Sequence, residues 1–146
     1  MRNKEIISKN EHNKWMEKIN KRYYYLLFTR NTPIGLGYFT DVNISEKTSF
    51  WGCYIGEQNS IPGIGAILNC AILKIGFEFL GFRKLFGEVL LTNKSALLMQ
   101  KSFGLRLKNN YDELNYKCFE IDNSEWKNFN KKFTFLLNKV VFQINK

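Results

Sequence analysis

Ser60, Ile61, Pro62, Gly63, Ile64 and Gly65 run straight into the apolar stretch AILNCAILK. A turn of this kind that opens a helix presents backbone N–H groups at the positive end of the helix dipole, and glycine lets an anion approach with no Cβ in the way. Phosphate binding is the chemistry that suits it, although plain chain reversal uses the same spacing. The third glycine of a dinucleotide fingerprint is absent, as is the Lys-Ser/Thr pair of a P-loop. Glu88 interrupts the otherwise apolar run from Lys84 to Leu91. A carboxylate there lies on a solvated face or is placed to take a proton from a reacting group. Glu57, the sole charge between Thr48 and Leu73, is the alternative carboxylate. His12, the only histidine, sits on a polar helix face, as either a ligand or a surface residue.

The elements that must position these residues follow from periodicity. Ser8 and Glu11 form a capping box, with Trp15, Met16 and Ile19 behind it on a short amphipathic helix to about Lys21. Strands are predicted over Tyr23–Thr29 and Gly35–Val42, joined by a turn over Asn31–Pro33, with a third over Ser49–Ile55 leading into the glycine turn. Ile64, Leu68, Ala71, Ile75 and Phe79 recur as one face of a long helix. A strand over Leu85–Leu91, a helix over Asn93–Ser102 capped by Asn93, and a strand over Tyr116–Ile121 come next. Trp126, Phe129, Phe133 and Leu137 share one side of a closing helix over 124–138. This order predicts an α+β fold with a mixed sheet.

Composition limits the function classes. The chain has 146 residues, 45% hydrophobic and 16% aromatic, enough for the core of one domain and unlike a disordered chain. Its net charge of +9 is concentrated at the ends: residues 1–22 hold seven Lys/Arg against three acids, and residues 117–146 hold six against three. The glycine turn lies in the neutral middle. Lys outnumbers Arg seventeen to five, and lysine lacks the planar fork that base readers favour, so a solvated basic surface accounts for the charge without a nucleic-acid partner. Cys53, Cys70 and Cys118 are too few and scattered for a disulfide framework or a metal site. No secretory leader is visible, and the longest uncharged run, Gln58–Leu73, is too short to cross a membrane as a helix. A cytoplasmic protein is expected.

The order of elements around the turn resembles the GCN5-related N-acetyltransferases. Their pattern is Arg/Gln-x-x-Gly-x-Gly/Ala, and the sequence here is Ser60-Ile61-Pro62-Gly63-Ile64-Gly65. Further on they show Asn-x-x-Ala, a tyrosine four residues later, and Gly-Phe; this chain has Asn93, Ala96, Gln100 and Gly104-Leu105. The resemblance implies an acetyltransferase-like mixed, mostly antiparallel sheet flanked by helices, in a single domain over residues 1–146. It implies acetyl-CoA as co-substrate, with pantetheine bonded along the strand at Cys53 and Ile55. The pyrophosphate would lie on Ile61, Gly63, Ile64, Gly65 and Ala66, with Asn93 touching the cofactor.

The stretches IISKNEHNKWMEKI, PIGLGYFTDVN, FWGCYIGE and EVLLTNKSALLMQKSFGL look more narrowly like the nucleotide-sugar acetyltransferases of the pseudaminic acid pathway, which act on a UDP-linked amino-dideoxy sugar. This implies His12, Thr40 and Asp41 at the nucleotide, and Trp15, Phe50, Tyr54 and Glu88 around the sugar. Glu88 would take the amine proton, and backbone N–H groups near Ile55 would stabilise the oxyanion. Gln100 stands where the family's tyrosine protonates the departing thiolate, and glutamine can donate a hydrogen bond but no proton. The family begins with a strand and helix that precede the capping-box helix, so the fold is expected to be N-terminally truncated, with a partner or a domain-swapped homo-oligomer, an earlier start of the reading frame, or a degenerate copy as the alternatives. A binding module that holds acetyl-CoA without turnover, an acetyltransferase for another amine, and a basic nucleic-acid-binding protein are the alternatives.

Overall fold

Between Tyr24 and Ile55 the chain is rich in aromatic and β-branched residues, which favour the pleated, half-buried surface of a sheet. The computed structural model describes residues 23–29, 32–55, 63–108 and 114–138. Strands β1 (Tyr24–Thr29), β2 (Thr32–Asn43) and β3 (Thr48–Ile55) form an antiparallel meander. The chain crosses over through helix α1 (Ile64–Lys74) and returns as β4 (Lys84–Leu90), parallel to β3. Helix α2 (Lys94–Ser102), the two-residue strand β5 (Arg106–Leu107), β6 (Tyr116–Asp122) and helix α3 (Asn123–Leu137) follow. The strand order is β1-β2-β3-β4-β6-β5, and β3–β4 is the one parallel pair among the described strands. This is the expected α+β class with a mixed, mostly antiparallel sheet flanked by helices.

Helix α1 buries Ile64, Ile67, Leu68, Cys70, Ala71, Ile72 and Leu73, nearly its whole circumference. A helix apolar all round must be covered on both sides. The sheet covers one: a side chain on Gly37 of β2 would come within 2.8 Å of Ile72, so that glycine gives α1 its seat. On the other side α3 packs across α1, with Trp126 stacked at 5.6 Å on Phe77 in the turn that follows α1, while Phe129 meets Phe103 at the end of α2 edge-on at 5.2 Å. The start of α3 is held by a reciprocal cap. Asp122 Oδ1 accepts from the Glu125 N–H at 2.8 Å while Glu125 Oε2 accepts from the Asp122 N–H at 3.0 Å.

Three sequence expectations are corrected, and one strand is added. The turn placed over Asn31–Pro33 gives way to strand from Thr32, with Pro33 opposite Phe28. Pairing of β2 with β3 begins only at Gly35↔Ile55, so the N–H that proline lacks is not needed by that ladder. Phe79 is 50% exposed and off the buried face of its helix. The last turn, Ile75–Phe79, is a π turn closed by Leu80 N–H to Ile75 O, and this wider turn breaks the four-residue repeat and buries Phe77 instead. β5 was not anticipated, because two residues carry no period. The closing helix is interrupted at Phe133, where φ is −112° and ψ is 15°. The predicted capping-box helix, with His12 and Trp15, lies outside the described residues, as do Glu57, Ser60 and Ile61.

Candidate active site

Where β3 meets β4 the parallel ladder is short. It pairs Thr48↔Lys84, Ser49↔Leu85 and Phe50↔Phe86 and then stops, although β3 continues to Ile55 and β4 to Leu90. Beyond Phe50 the β4-side backbone groups of β3 have no ladder partner in β4, so among the described strands N–H and C=O groups are left open at the point where the chain heads for the glycine turn. Strand β3 thus offers a ligand a hydrogen-bonding edge inside the sheet rather than at its rim.

Register divides the predicted residues between the two sheet faces, because side chains alternate along a strand and paired residues share a face. Trp51, Cys53 and Ile55 lie on the α1 face: Cys53 pairs with Gly37, and Trp51 Nε1 donates to Asn69 Oδ1 on α1 at 3.0 Å. Phe50 and Tyr54 therefore lie on the opposite face. Thr40 joins them as the partner of Phe50, as does Phe86, whose ring centre is 5.3 Å from that of Phe50. Glu88, two residues after Phe86, is on this face too, paired across to Cys118 of β6. Among the described strand residues, Cys53 and Ile55, assigned to the cofactor, thus sit on one face of the sheet, and Thr40, Phe50, Tyr54 and Glu88, assigned to the acceptor side, on the other.

On the α1 side, Gly63 occupies the N-cap position with φ 79° and ψ 8°, a left-handed conformation that glycine adopts at no steric cost. Among the described residues no side chain caps the helix, and its first turn contains no acid. The first internal bond runs from Ile67 N–H to Gly63 O at 3.1 Å, so the N–H groups of Ile64, Gly65 and Ala66 precede the helical ladder. No described atom lies within 4 Å of where a Gly63 side chain would begin. At Gly65 the nearest atoms would be Ile55 Cδ1 at 3.6 Å and Met99 Sδ at 3.8 Å, so the end of β3, the start of α1 and the middle of α2 converge here. An uncapped positive helix end beside an open strand edge fits a phosphate-bearing, amide-bearing chain such as pantetheine diphosphate.

Asn93 is the N-cap of α2: its Oδ1 accepts from the Ala96 N–H at 3.2 Å and from Ser95 Oγ at 3.3 Å. It is exposed, so capping leaves it open to a ligand. Gln100 is buried, 4% exposed, and its Oε1 has no hydrogen-bond partner among the described residues. A buried amide oxygen without a donor is costly, and a ligand N–H or O–H would relieve it. Burial pushes the thiols of Cys53, Cys70 and Cys118 up to about 12, Cys53 also through the nearby Cys70, so all three stay neutral near pH 7. None is a ready thiolate nucleophile, and transfer through a cysteine is not what this geometry supports.

Several residues at the site escaped the sequence reading. Tyr38 lies across Gly52 on the acceptor face and stacks on Tyr24 at 5.6 Å, extending the aromatic surface of Phe50 and Phe86. Lys108 places its ammonium 5.2 Å from the centre of the Phe86 ring. Ser49, 1% exposed, donates to the Thr40 carbonyl at 2.7 Å, where Asp41 and Val42 bulge against it and Asp41 takes φ 51°. This bulge ends regular pairing at Thr40 and Asp41, the two residues assigned to the nucleotide. The aromatic alternation could have drawn attention to Tyr38; nothing local marks Ser49 or Lys108.

No protein-family model matches the sequence, and no curated protein matches it. Solved structures do. The apo structure of FdhC, described as a nucleotide-linked sugar GNAT, superposes with a TM-score of 0.74 at 21% identity, covering 90% of this chain and 80% of FdhC. The N-acetyltransferase PseH of Campylobacter jejuni in complex with acetyl coenzyme A gives 0.65 at 22% identity, over 77% of this chain and 78% of PseH. A spermidine N-acetyltransferase SpeG mutant from Vibrio cholerae gives 0.67 at 17%, over 83% and 79%. The fold is that of the GCN5-related N-acetyltransferases. Neighbours of this fold include proteins for nucleotide-linked sugars and for spermidine.

Proposed function

We propose that this protein is an acetyl-CoA-dependent N-acetyltransferase whose acceptor is the amine of a nucleotide-linked amino sugar, as in pseudaminic acid type biosynthesis. The observation that carries the reading is the β3–β4 ladder ending at Phe50↔Phe86 directly before the uncapped, glycine-opened start of α1. The N–H groups of Ile64, Gly65 and Ala66 would hold the pyrophosphate, and the open edge of β3 at Cys53 and Ile55 would bond the pantetheine amides. The thioester would then reach the gap between the strands, with Glu88 on its far side. Glu88, directly or through a water, would take a proton from the acceptor ammonium, so that the neutral amine attacks the thioester carbonyl. Backbone N–H near Ile55 would stabilise the charge developing on the thioester oxygen. Gln100 can donate a hydrogen bond to the departing sulfur, which leaves as a thiolate because thiols ionise at about 8.5.

The acceptor face favours a nucleotide-linked sugar over a polyamine because Phe50, Phe86, Tyr38 and Tyr54 offer flat apolar surface suited to sugar rings and bases. The test is to follow free thiol release from acetyl-CoA with UDP-linked amino sugars and with spermidine. Thiol release with the sugars and none with spermidine is the expected result. Turnover only with spermidine would overturn the acceptor, and absence of acetyl-CoA binding would overturn the whole reading. Binding without turnover, restored by Gln100→Tyr, would identify an acetyltransferase impaired at its acid.

A further inference from the structure

Trp51 and Asn69 stand eighteen residues apart and share one hydrogen bond, at 3.0 Å. The indole is 6% exposed and lies against β4: a side chain on Gly87 would come within 2.6 Å of its ring. It therefore spans from β3 to β4 immediately past Phe50↔Phe86, where the backbone ladder has ended. Packing of this ring takes over the spacing of the two strands from hydrogen bonds. Its orientation is set by Asn69, because an indole N–H is a donor only and must face the amide oxygen. That leaves the Asn69 amide nitrogen two hydrogens. It donates to the Gly65 carbonyl at 2.8 Å, in the first turn of α1, and lies 4.0 Å from Met99 Sδ on α2.

One fully used amide thus joins the opening between β3 and β4, the glycine start of α1 and the flank of α2. We infer that Asn69 is a positioning residue that locks the width of the β3–β4 opening to the orientation of the first turn of α1, so that the two ends of an acyl carrier are held in register. This rests on the reading of that turn and opening as the acetyl-CoA site. Asn69 touches no reacting atom; it acts through Trp51 and the Gly65 carbonyl. A side chain there without an amide leaves the indole N–H buried and unpaired and frees the first turn to shift.

The inference is tested by measuring acetyl-CoA affinity calorimetrically for the wild type, Asn69→Leu, Trp51→Phe and the double variant, well below each melting temperature. Each single change is expected to weaken binding about five- to tenfold, the order of one lost hydrogen bond with its unpaired partner. The double variant should be weakened no more than Asn69→Leu alone, because the link that Trp51→Phe removes is already lost in Asn69→Leu. Fully multiplying losses, or melting temperatures that fall while affinity stays at the wild-type value, would show two ordinary packing residues and overturn the inference. Wild-type binding with unchanged variants refutes the positioning role alone, whereas a wild type that does not bind acetyl-CoA refutes the site and the role together.

Discussion

Replacing Gly63 with alanine separates the two things a glycine can do at the start of α1. Its φ of 79° places a non-glycine residue in the left-handed region, which costs about 1–2 kcal/mol. The added methyl meets no described atom within 4 Å, so no packing term adds to that cost. Alanine also restricts the unfolded chain, which returns about 0.4–1 kcal/mol where the native conformation is compatible and less here. A net loss of about 1 kcal/mol follows, a fall in melting temperature of about 3 °C for a chain of this size. Gly63→Asn should lose only a few tenths of that, because asparagine visits the left-handed region readily. Affinity should behave differently. If a phosphate lies against the Gly63 α-carbon, any Cβ enters its space, and both variants should bind acetyl-CoA about tenfold more weakly or worse. With ligand in large excess, tenfold weaker binding removes about 1.4 kcal/mol of ligand-induced stabilisation. Thermal melts with and without acetyl-CoA, together with a binding titration, read both effects. Wild-type affinity in the two variants would show that the turn serves chain reversal alone, and an unchanged melting temperature for Gly63→Ala would refute the conformational argument.

Three further outcomes are expected. Gly87→Ala drives a methyl into the Trp51 ring, and forcing the ring aside should destabilise the fold by about 1–3 kcal/mol, read as a lower urea midpoint with unchanged slope. Glu88→Gln should lower kcat by about a hundredfold or more while leaving acetyl-CoA affinity alone; unchanged steady-state rates would remove Glu88 from the chemistry. Asp122 has its carboxyl held below the usual range by the hydrogen bond from Ser124 and by the Glu125 N–H, with Arg106 assisting. The folded value lies below the unfolded one, so this contribution is complete above about pH 4 and is lost as pH falls through the lower, folded value. Asp122→Ala should cost about 1 kcal/mol at neutral pH, and Asp122→Asn should flatten the acid arm of the stability profile; an acid arm identical to wild type would rule the cap out as its source.

How much was legible depended on distance along the chain. β3, the helix opened by Gly63, and α2 with its Asn93 cap were readable because alternation, four-residue spacing and capping are relations between near neighbours. Phe79 shows the limit of that reading. Its spacing matched the helix, but where α1 ends over the sheet the chain takes a π turn, and the ring that reaches the core is Phe77. Arg106 is a similar case. Nothing around it marks a strand, yet it contacts Glu120, Asp122 and Glu125 at once because β5 pairs beside β6 and α3 starts where β6 ends.

The residue types by themselves determined an α+β chain with a glycine-opened, uncharged helix start after a strand, and a carboxylate set in an apolar strand. Only the tertiary structure decided which side of the sheet each residue serves: Cys53 and Ile55 with α1, and Thr40, Phe50, Tyr54 and Glu88 opposite. A shift of one residue in register would have exchanged them, and register is set by pairing across the sheet. The end of the β3–β4 ladder and the Trp51–Asn69 link were likewise outside the reach of local pattern. They depend on an indole finding room over Gly87, thirty-six positions away, and packing complementarity over that separation leaves no period in the sequence.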